Sequence, residues 1–427
     1  MQIYVVKAGD TLMEIATLFN ISMSVLITSN EIENPESLVP GQTIVIPIWG
    51  SYYFVKPGDS LYSLSRRYKI PVGQLIEVNN LQPTSRLVVG QRIYIPQAPR
   101  KAVYTGGYID TDVSGKRSTQ IIEDVGKNLS TIQLFSYQVS STGELKPPKY
   151  EDEVLTAAQK VNSRPLMVIT NIEGGKFTPD VATALFKSEA LQEKVLTEVI
   201  KIMREKGYKG LDVDFEYLGA ENRVGYNTFM AKAKDKLKPY GYTLSTALAP
   251  KISDTQIGRL YEGHDYEFLG KVVDFIFVMT YEWGWVGGAP RAVAPLNEVR
   301  RVMEYAMSKV PKEKLMMGIP LYGYDWKLPF VEGKSRAKTI SNPDAILLAD
   351  KYGVNIDYDP VAASPHFNYK DETGIAHEVW FEDARSIQAK FNLVKELDNR
   401  GLFYWVLGRD FAQNWLLLED NFVVKTY

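Results

Sequence analysis

Three carboxylates at alternate positions are the strongest chemical signal in the sequence. In the segment KGLDVDFEYL, residues 209–218, Asp212, Asp214 and Glu216 alternate with apolar residues. Successive side chains of a β-strand point to opposite faces, so the three acids would share one face at intervals of about 7 Å. Carboxyl groups crowded into a site of low dielectric constant cannot all ionise, so at least one would keep its proton near neutral pH. A proton held in this way is what a general acid requires.

The segments around these acids predict the structure that positions them. Eight runs rich in β-branched and aromatic residues alternate with amphipathic stretches, and they lie at 102–109, 130–137, 165–171, 210–216, 242–249, 274–281, 314–322 and 401–408. Such alternation predicts an α/β protein with parallel strands, and closing the sheet into a (β/α)8 barrel leaves no strand edge exposed. A doubly wound open sheet would alternate in the same way, but the acidic and polar residues at the carboxyl ends of the runs favour the barrel.

The barrel prediction decides how the acidic strand is interpreted. The simpler interpretation is a half-exposed strand with its acids in water, but the inner face of a barrel strand fills the lumen, so the acids would point inward. About 60 residues follow the seventh run, which is more than an ordinary connection needs. We therefore expect a small α+β insertion at about residues 323–383, forming one wall of the cleft.

The first 97 residues contain a duplicated unit. YVVKAGDTL at residues 4–12 aligns with YFVKPGDSL at 53–61, and LVPGQTIVIP at 38–47 aligns with LVVGQRIYIP at 87–96. The ungapped alignment has roughly 17 identities, which indicates an internal repeat. Each copy predicts a β-α-α-β unit, because a short strand and a Gly-Asp turn precede two helical segments and a closing strand.

The repeated unit resembles the LysM domain, a module that binds glycans containing N-acetylglucosamine, such as peptidoglycan and chitin. The resemblance implies a sugar groove between the Gly-Asp turn and the loop after the second helix, lined by Gly9, Asp10, Thr11 and Asn30 in one copy and by Gly58, Asp59, Ser60 and Asn79 in the other. A simpler interpretation is that the Gly and Asn residues only form turns. Residues 1–97 carry seven Lys or Arg and seven Asp or Glu, so we expect a neutral ligand held by backbone hydrogen bonds and apolar contacts.

The acidic strand resembles the D-x-D-x-E motif of glycoside hydrolase family 18, the chitinase-type barrel. The resemblance implies that Glu216 protonates the glycosidic oxygen, that Asp214 orients the acetamido group of the substrate, and that Asp212 shares a proton with Asp214. It also implies a substrate-assisted retaining mechanism, in which the N-acetyl carbonyl is the nucleophile and forms an oxazolinium ion. Tyr281, in VMTYEW, would hydrogen-bond the acetamido oxygen, and Trp405, in FYWVLG, would form the floor beneath the scissile sugar.

Further cleft residues follow from the same resemblance. They are Glu282, where the family often has Asp, and the residues of LYGYDW after the seventh run, namely Tyr322, Tyr324, Asp325 and Trp326. The sequence departs from the family pattern at Lys209, where another aspartate is usual, and at Phe215, where Trp is common. The segment NIEGG, residues 171–175, echoes the usual S-x-G-G turn only loosely. The D-x-D-x-E core is intact, so the resemblance implies an active enzyme with altered subsite geometry.

Composition and charge exclude several other classes. Lys plus Arg is 49 and Asp plus Glu is 51, without the clustered basic face that nucleic acid requires, so we expect no nucleic-acid partner. There is no cysteine, and the only histidines, His264, His366 and His377, are scattered, so we expect no metal and no cofactor and interpret them as surface or capping residues. No apolar run reaches about 18 residues and the first twenty residues are interrupted by charges, which predicts a soluble protein without a signal peptide or membrane partner. We also expect a monomer.

Three functions remain open on the sequence. They are an N-acetylglucosaminidase tethered to peptidoglycan by its LysM units, a chitinase, and a catalytically inactive chitinase-like glycan-binding protein; the intact Glu216 argues against the last. The whole combination resembles the cortical-fragment-lytic enzymes of Bacillus-type spores. It implies a glucosaminidase that acts on partly cleaved cortex during germination and is deposited around the spore from the mother cell. We place the units at residues 2–48, 51–97 and 101–427.

Overall fold

Each N-terminal repeat folds as a two-stranded antiparallel sheet covered by two helices. The computed structural model describes all residues 1–427. In chain order, the elements are Gln2–Val5, Leu12–Phe19, Met23–Asn30 and Thr43–Ile46 in the first repeat, and Ser51–Phe54, Leu61–Tyr68, Val72–Val78 and Arg92–Ile95 in the second. The first helix of each repeat begins where the side chain of Thr11 or Ser60 accepts a hydrogen bond from a backbone N–H of the first turn, as an N-cap does. The β-α-α-β prediction is confirmed.

Eight parallel strands close into a barrel at the positions that the sequence predicts. They are Lys101–Asp110, Thr131–Val139, Arg164–Thr170, Gly210–Asp214, Thr243–Leu248, Phe275–Val278, Leu315–Pro320 and Gly401–Trp405, called here the first to eighth barrel strands. Each pairs in parallel with its neighbours, and the eighth pairs with the first, so that Gly401 lies opposite Tyr104. This closure rules out the open-sheet alternative.

Helices surround the barrel and cover its outer face. The α-helices are Thr111–Ser114, Ser118–Val125, Glu151–Lys160, Pro179–Lys187, Glu189–Lys206, Arg223–Leu237, Arg259–Glu262, Tyr266–Val272, Leu296–Lys309, Ala384–Leu397 and Ala412–Asn421; short strands lie at Leu145–Lys146, Ile172–Glu173, Lys176–Phe177 and Phe422–Val424. Glu189–Lys206 buries Val195, Val199 and Met203 at helical spacing. No single helix is long and apolar enough to cross a membrane. The two helices of the first repeat reach that length and hydropathy only together, and they are bent by 107° relative to each other.

The insertion after the seventh barrel strand is a small α+β unit with its own core. Five antiparallel strands, Tyr322–Lys327, Lys338–Ser341, Asp357–Asp359, Ser364–Lys370 and Ala376–Trp380, form one sheet, and the helix Asn342–Lys351 packs on it. The helix and sheet bury Ile340, Ala345 and Val379 between them. The predicted insertion is confirmed, and it stands beside the carboxyl end of the barrel, where the loops that follow the strands meet.

Candidate active site

The fourth barrel strand directs its acids inward because its other face is apolar and covered by helices. Leu211, Val213 and Phe215 are fully buried on the outer side, and the Phe215 ring stacks on Phe229 of the helix Arg223–Leu237 with ring centroids 6.0 Å apart. Since side chains alternate along the strand, this packing turns the carboxylates toward the lumen. The three predicted catalytic acids are thereby brought into one site.

Asp212 lies deepest in this site and has its full set of partners. It is fully buried, and it accepts hydrogen bonds from the Tyr108 hydroxyl at 2.6 Å and from the Ser245 hydroxyl at 2.7 Å. Burial raises the pKa of Asp212 to about 6, although the two hydrogen bonds oppose the rise. A carboxyl with this pKa can hold or release a proton within the physiological range.

Asp214, one step further toward the carboxyl end, is buried without comparable compensation. Only 4% of it is exposed, and its Oδ1 atom is buried with no hydrogen-bond partner. Burial raises the pKa of Asp214 well above its usual range, and the neighbouring charges of Glu216 and Asp212 raise it further. A buried oxygen without a hydrogen-bond partner is costly. A substrate that donates a hydrogen bond to Asp214 Oδ1 would remove this cost.

Glu216 follows the end of the fourth strand and reaches the cleft. Its backbone is held on both sides by the side chain of Asn171, which accepts from the Glu216 N–H at 3.0 Å and donates to the Glu216 carbonyl at 2.9 Å. Burial raises the pKa of Glu216 to about 7, and the charge of Glu282 raises it as well. The group is therefore partly protonated near neutral pH, as a general acid must be.

A buried histidine holds the peptide unit before Glu216. His264 is fully buried, and burial lowers its pKa to about 4, so the ring is neutral. Its Nδ1 accepts from the Ala249 N–H at 3.0 Å, so Nε2 carries the proton and donates to the Phe215 carbonyl at 2.9 Å. His264 thus joins the ends of the fourth and fifth barrel strands. The interpretation of this histidine as a surface residue is wrong.

The acids open into a cleft of about 500 Å³ whose walls are largely aromatic. Its lining includes Tyr108, Phe177, Asp214, Glu216, Tyr217, Tyr261, Tyr281, Glu282, Trp285 and Trp405. Trp405 packs edge-to-face against Tyr108 and Phe135 at the floor, which fits the place that the sequence predicts for it. Aromatic faces of this kind bury the apolar side of a sugar ring.

Glycines make room for two of these aromatic rings. A Cβ atom on Gly318 would lie 2.7 Å from Cε1 of Tyr281. The seventh strand therefore needs a residue without a side chain at this position for the Tyr281 ring to fit. Trp285 is half exposed at the lip, yet Cβ atoms on Gly287 and Gly288 would lie 2.5 and 2.4 Å from its indole atoms. The indole of Trp285 therefore packs directly against the main chain of these two glycines.

Glu282 connects the cleft to the insertion. Its carboxylate accepts hydrogen bonds from the hydroxyls of Tyr322 and Tyr324, the latter at 2.9 Å, and its backbone has a φ of 66°. Tyr322 is buried, so it contacts Glu282 from the protein interior and not from the open cleft. Of the residues predicted after the seventh strand, Tyr322 and Tyr324 therefore reach the site through Glu282.

Two predicted cleft residues, Asp325 and Trp326, lie elsewhere. Trp326 is 1% exposed, and its indole N–H donates to the Gly288 carbonyl at 2.8 Å. Asp325 accepts from the Tyr369 hydroxyl at 2.8 Å and lies 2.7 Å from His377 Nδ1, inside the insertion. Both assignments to substrate are wrong, because the strand Tyr322–Lys327 is covered on both faces once the insertion folds around it. His377 is likewise an internal residue.

The residues predicted as glycan contacts use their side chains mainly within their own repeat, and Asn30 also accepts a hydrogen bond from Gln413 of the last helix at 3.1 Å. Asp10 and Asp59 accept from the hydroxyls of Tyr4 and Tyr53, while Thr11 and Ser60 are N-caps. The amides of Asn30 and Asn79 each bond the closing strand of their own repeat, at Val45 and Tyr94. The glycines at 9 and 58, with φ of 86° and 84°, form the turn. The side chains at these positions are therefore engaged in contacts within the protein, and their part in sugar binding stays a prediction.

Comparison with known proteins identifies the families to which the barrel and the repeats are similar. Residues 104–410 match the family described as glycosyl hydrolases family 18, and residues 4–47 and 53–96 match the LysM domain. The chain belongs to glycosyl hydrolases family 18. It is a glycosidase with two N-terminal LysM domains, as the acidic strand and the duplication predict.

Relatives of this family 18 glycosidase resemble it over the whole length. It is 50% identical over 432 residues to the cortical fragment-lytic enzyme of Bacillus subtilis (strain 168), with all of both chains covered. It is 44% identical to the cortical fragment-lytic enzyme of Bacillus anthracis, with 99% of each covered. The crystal structure of the spore cortex-lytic enzyme SleL of Bacillus megaterium QM B1551 superposes with a TM-score of 0.93 at 42% identity, covering 100% of this chain and 99% of that one. The resemblance to cortical-fragment-lytic enzymes is confirmed.

Several residues of the family 18 site were not predicted from the sequence. Tyr108 and Ser245 are the partners of Asp212, and Asn171 holds Glu216. Each lies on or just after a barrel strand, so the carboxyl ends of the predicted strands were the available signal. Tyr217 and Trp285, about half exposed in the lining, stand on loops, where no periodicity marks them.

Proposed function

We propose that the protein is an N-acetylglucosaminidase that hydrolyses β-1,4 glycosidic bonds by a substrate-assisted, retaining mechanism. The observation that carries this proposal is the buried, unpartnered oxygen of Asp214 beside a Glu216 whose pKa is near 7. Asp214 accepts the acetamido N–H of the substrate and thereby turns the carbonyl oxygen toward the anomeric carbon, while Tyr281 steadies that oxygen. Asp212, with its pKa of about 6, can take up the proton that the pair shares.

The reaction then needs no nucleophile from the protein. As the carbonyl oxygen bonds the anomeric carbon, the glycosidic C–O bond breaks and the leaving oxygen takes the proton of Glu216. The ionised Glu216 next removes a proton from water, which opens the oxazolinium ring on the same face and restores the original anomer. One carboxyl thus serves as acid and then as base, for which a pKa close to the working pH is favourable.

The charge of the cleft favours a neutral sugar at the point of cleavage. Its lining carries Asp214, Glu216 and Glu282 but no Lys or Arg. A muramic acid unit with a free lactyl carboxylate would meet like charge without a partner, whereas N-acetylglucosamine is uncharged. This supports cleavage on the reducing side of N-acetylglucosamine.

We propose spore cortex peptidoglycan as the natural polymer, because the relatives that cover the whole chain are named for it. A chitinase is the second candidate, since the same cleft accepts any N-acetylglucosamine in that position. Digestion of purified cortex fragments and of chitin oligomers, followed by mass spectrometry of the products, separates the two. New reducing-end N-acetylglucosamine from cortex alone supports the proposal, while equal turnover of chitin supports the alternative.

The mechanism has its own test, which does not depend on the polymer. Proton NMR of the first products should show the β-anomer before mutarotation, and an N-acetylglucosamine thiazoline, which imitates the oxazolinium ring, should inhibit competitively. Appearance of the α-anomer, or catalysis unaffected by the thiazoline, would contradict the substrate-assisted route. A Glu216→Gln variant that binds the thiazoline but does not hydrolyse is the matched control, and an inactive wild-type protein would favour the glycan-binding alternative.

The remaining expectations stay proposals of the same kind. We propose that the protein acts at the spore as a monomer, after deposition from the mother cell, with folding units at residues 2–48, 51–97 and 101–427. A fluorescent fusion followed through sporulation tests the route, since fluorescence should first surround the developing spore from the mother-cell side. Sedimentation of the pure protein tests the oligomeric state.

A further inference from the structure

The two LysM domains have the same fold but different relations to the rest of the chain. Alignment with an offset of 49 residues pairs Val39 with Val88 and Gly41 with Gly90. Val39 is 3% exposed and Val88 is 68% exposed. A Cβ atom on Gly41 would meet the carbonyl oxygen of Ile356 at 1.9 Å, whereas one on Gly90 would meet nothing within 4 Å. The face that is covered in the first domain is open in the second.

The first LysM domain is bonded to the catalytic body through this face. Asn34 and Ser37, from the loop after its second helix, donate to the carboxylate of Asp350 at 2.9 and 2.5 Å. Thr43 exchanges hydrogen bonds with the side chain of Gln413 on the last helix. One of the two loops that would border a sugar groove in this domain is therefore committed to the insertion.

Apart from its last residue, Gln97, whose amide donates to Asp420 on the last helix of the chain, the second LysM domain forms its hydrogen bonds to other parts of the protein with the first domain. Arg92 donates to the Leu18 carbonyl at 3.2 Å, and the Tyr52 N–H donates to Gln2 at 2.8 Å. The loop after its second helix forms hydrogen bonds only within the domain; for example, the Gln82 N–H donates to the Ser85 hydroxyl. Both loops that border its groove are therefore open to solvent.

The charges of the two domains are opposite, which the balanced total conceals. Residues 1–50 carry one Lys or Arg and five Asp or Glu, whereas residues 51–97 carry six Lys or Arg and two Asp or Glu. Four cations of the second domain, Lys56, Arg66, Lys69 and Arg86, are exposed, and its one salt bridge uses a different residue, Arg67. Lys56 precedes the Gly-Asp turn and Arg86 lies in the loop after the second helix, so two of the four flank the groove.

We propose that the second LysM domain is the polymer anchor and that its cations bind the carboxylates of peptidoglycan stem peptides, while the first is a fixed part of the catalytic body. This rests on the proposed function, since it takes peptidoglycan as the polymer. Exposed cations attract a polyanion over about a Debye length, roughly 10 Å at 0.1 M salt, and the exposed apolar side chains of Val88 and Val89 offer contact to sugar rings. The sequence predicts a neutral ligand because the charges of the two repeats sum to zero, but neither repeat is neutral by itself.

The test uses the full-length Glu216→Gln protein, so that the polymer stays intact during binding. In that background, Lys56→Gln, Arg66→Gln, Lys69→Gln and Arg86→Gln are combined, and co-sedimentation with insoluble cortex peptidoglycan is measured across a salt series. We expect about a tenfold loss of affinity at low salt, converging with the parent at high salt. Chitin, which is neutral, should be bound equally by both proteins.

The matched control removes charge from the first domain. Glu14→Gln, Glu33→Gln and Glu36→Gln together should leave binding to cortex unchanged or tighter, since Gln keeps the capping contact of Glu14 with Thr11. Equal binding of the fourfold variant and its parent, an equal loss on chitin, or a loss caused by the control set would overturn the proposal. A single Arg86→Glu reversal, expected to weaken cortex binding about threefold, repeats the test should the fourfold variant not fold.

The binding test and the proposed function fail separately. Hydrolysis of soluble cortex fragments by the wild-type protein reports on the chemistry, while sedimentation of the Glu216→Gln protein reports on the anchor. If the wild type does not cleave cortex but the fourfold variant loses binding, the anchor stands and the substrate assignment falls.

Discussion

Two buried aspartates, Asp214 in the cleft and Asp325 in the insertion, are both predicted from the sequence as site residues and have different surroundings in the structure. Asp214 has a buried oxygen without a partner, whereas both carboxylate oxygens of Asp325 are occupied by Tyr369 and His377. Each aspartate lies on a strand near the carboxyl end of the barrel. The comparison teaches that unmet hydrogen-bonding capacity, rather than burial or residue type, distinguishes a site prepared for substrate from a structural network.

The largest loss of activity should come from removing the acidic proton of Glu216 in the cleft. Glu216→Gln keeps the size of the side chain and loses its acid, so we expect kcat to fall by about 10²–10⁴-fold. Initial rates on soluble cortex fragments measure this, with circular dichroism to show that the fold is kept. A fall of less than about tenfold would remove Glu216 from the role of acid.

Asp214→Asn should have the next largest effect. The amide replaces a charged acceptor by a neutral one where the substrate acetamido group is oriented, so we expect kcat to fall by about 10²-fold while KM changes little. Saturation kinetics separate the two parameters. A rise in KM with kcat intact would instead show that Asp214 only binds the ground state.

The pH dependence of both activity and stability should reflect the raised pKa of Glu216. Because Glu216 acts in its protonated form and its pKa is about 7, the rate should decline as pH rises through neutrality. The same raised pKa means that in the native state Glu216 holds a proton that it has lost in the unfolded state. The contribution of Glu216 to stability is therefore greatest below about pH 4.5, its ordinary pKa, and falls as the pH rises toward 7. Glu216→Gln should flatten that part of the stability profile. An unchanged profile in the variant would contradict the assigned shift.

Asp325→Asn, in the insertion, should affect stability more than activity. The amide leaves Tyr369 or His377 without a charged partner, so the free energy of unfolding should fall by about 1–3 kcal/mol, while kcat stays within about twofold. Denaturant titration and initial rates measure the two. A loss of kcat like that of Asp214→Asn would return Asp325 to the active site and remove the distinction between the two aspartates.

The sequence predicted elements better than it predicted contacts. All eight barrel strands, the insertion and the repeated unit lie where the periodicity places them, because alternation and duplication are properties of the chain itself. Asp325 and Trp326 were misassigned because alternation shows that a strand has two faces but not what covers them. His264 was misjudged for a similar reason, since nothing near it in the chain shows that it bridges two strand ends.

The chemistry of the acidic strand follows from the sequence alone, because alternation places three carboxylates on one face and apolar residues that must be buried on the other. Only the tertiary structure decided which of them lacks a partner, because Tyr108 and Ser245 reach Asp212 from other strands and leave Asp214 unmatched. It also decided that two repeats of one pattern have different surroundings. Hydrogen bonds and burial depend on residues distant in the chain, so local pattern cannot assign them.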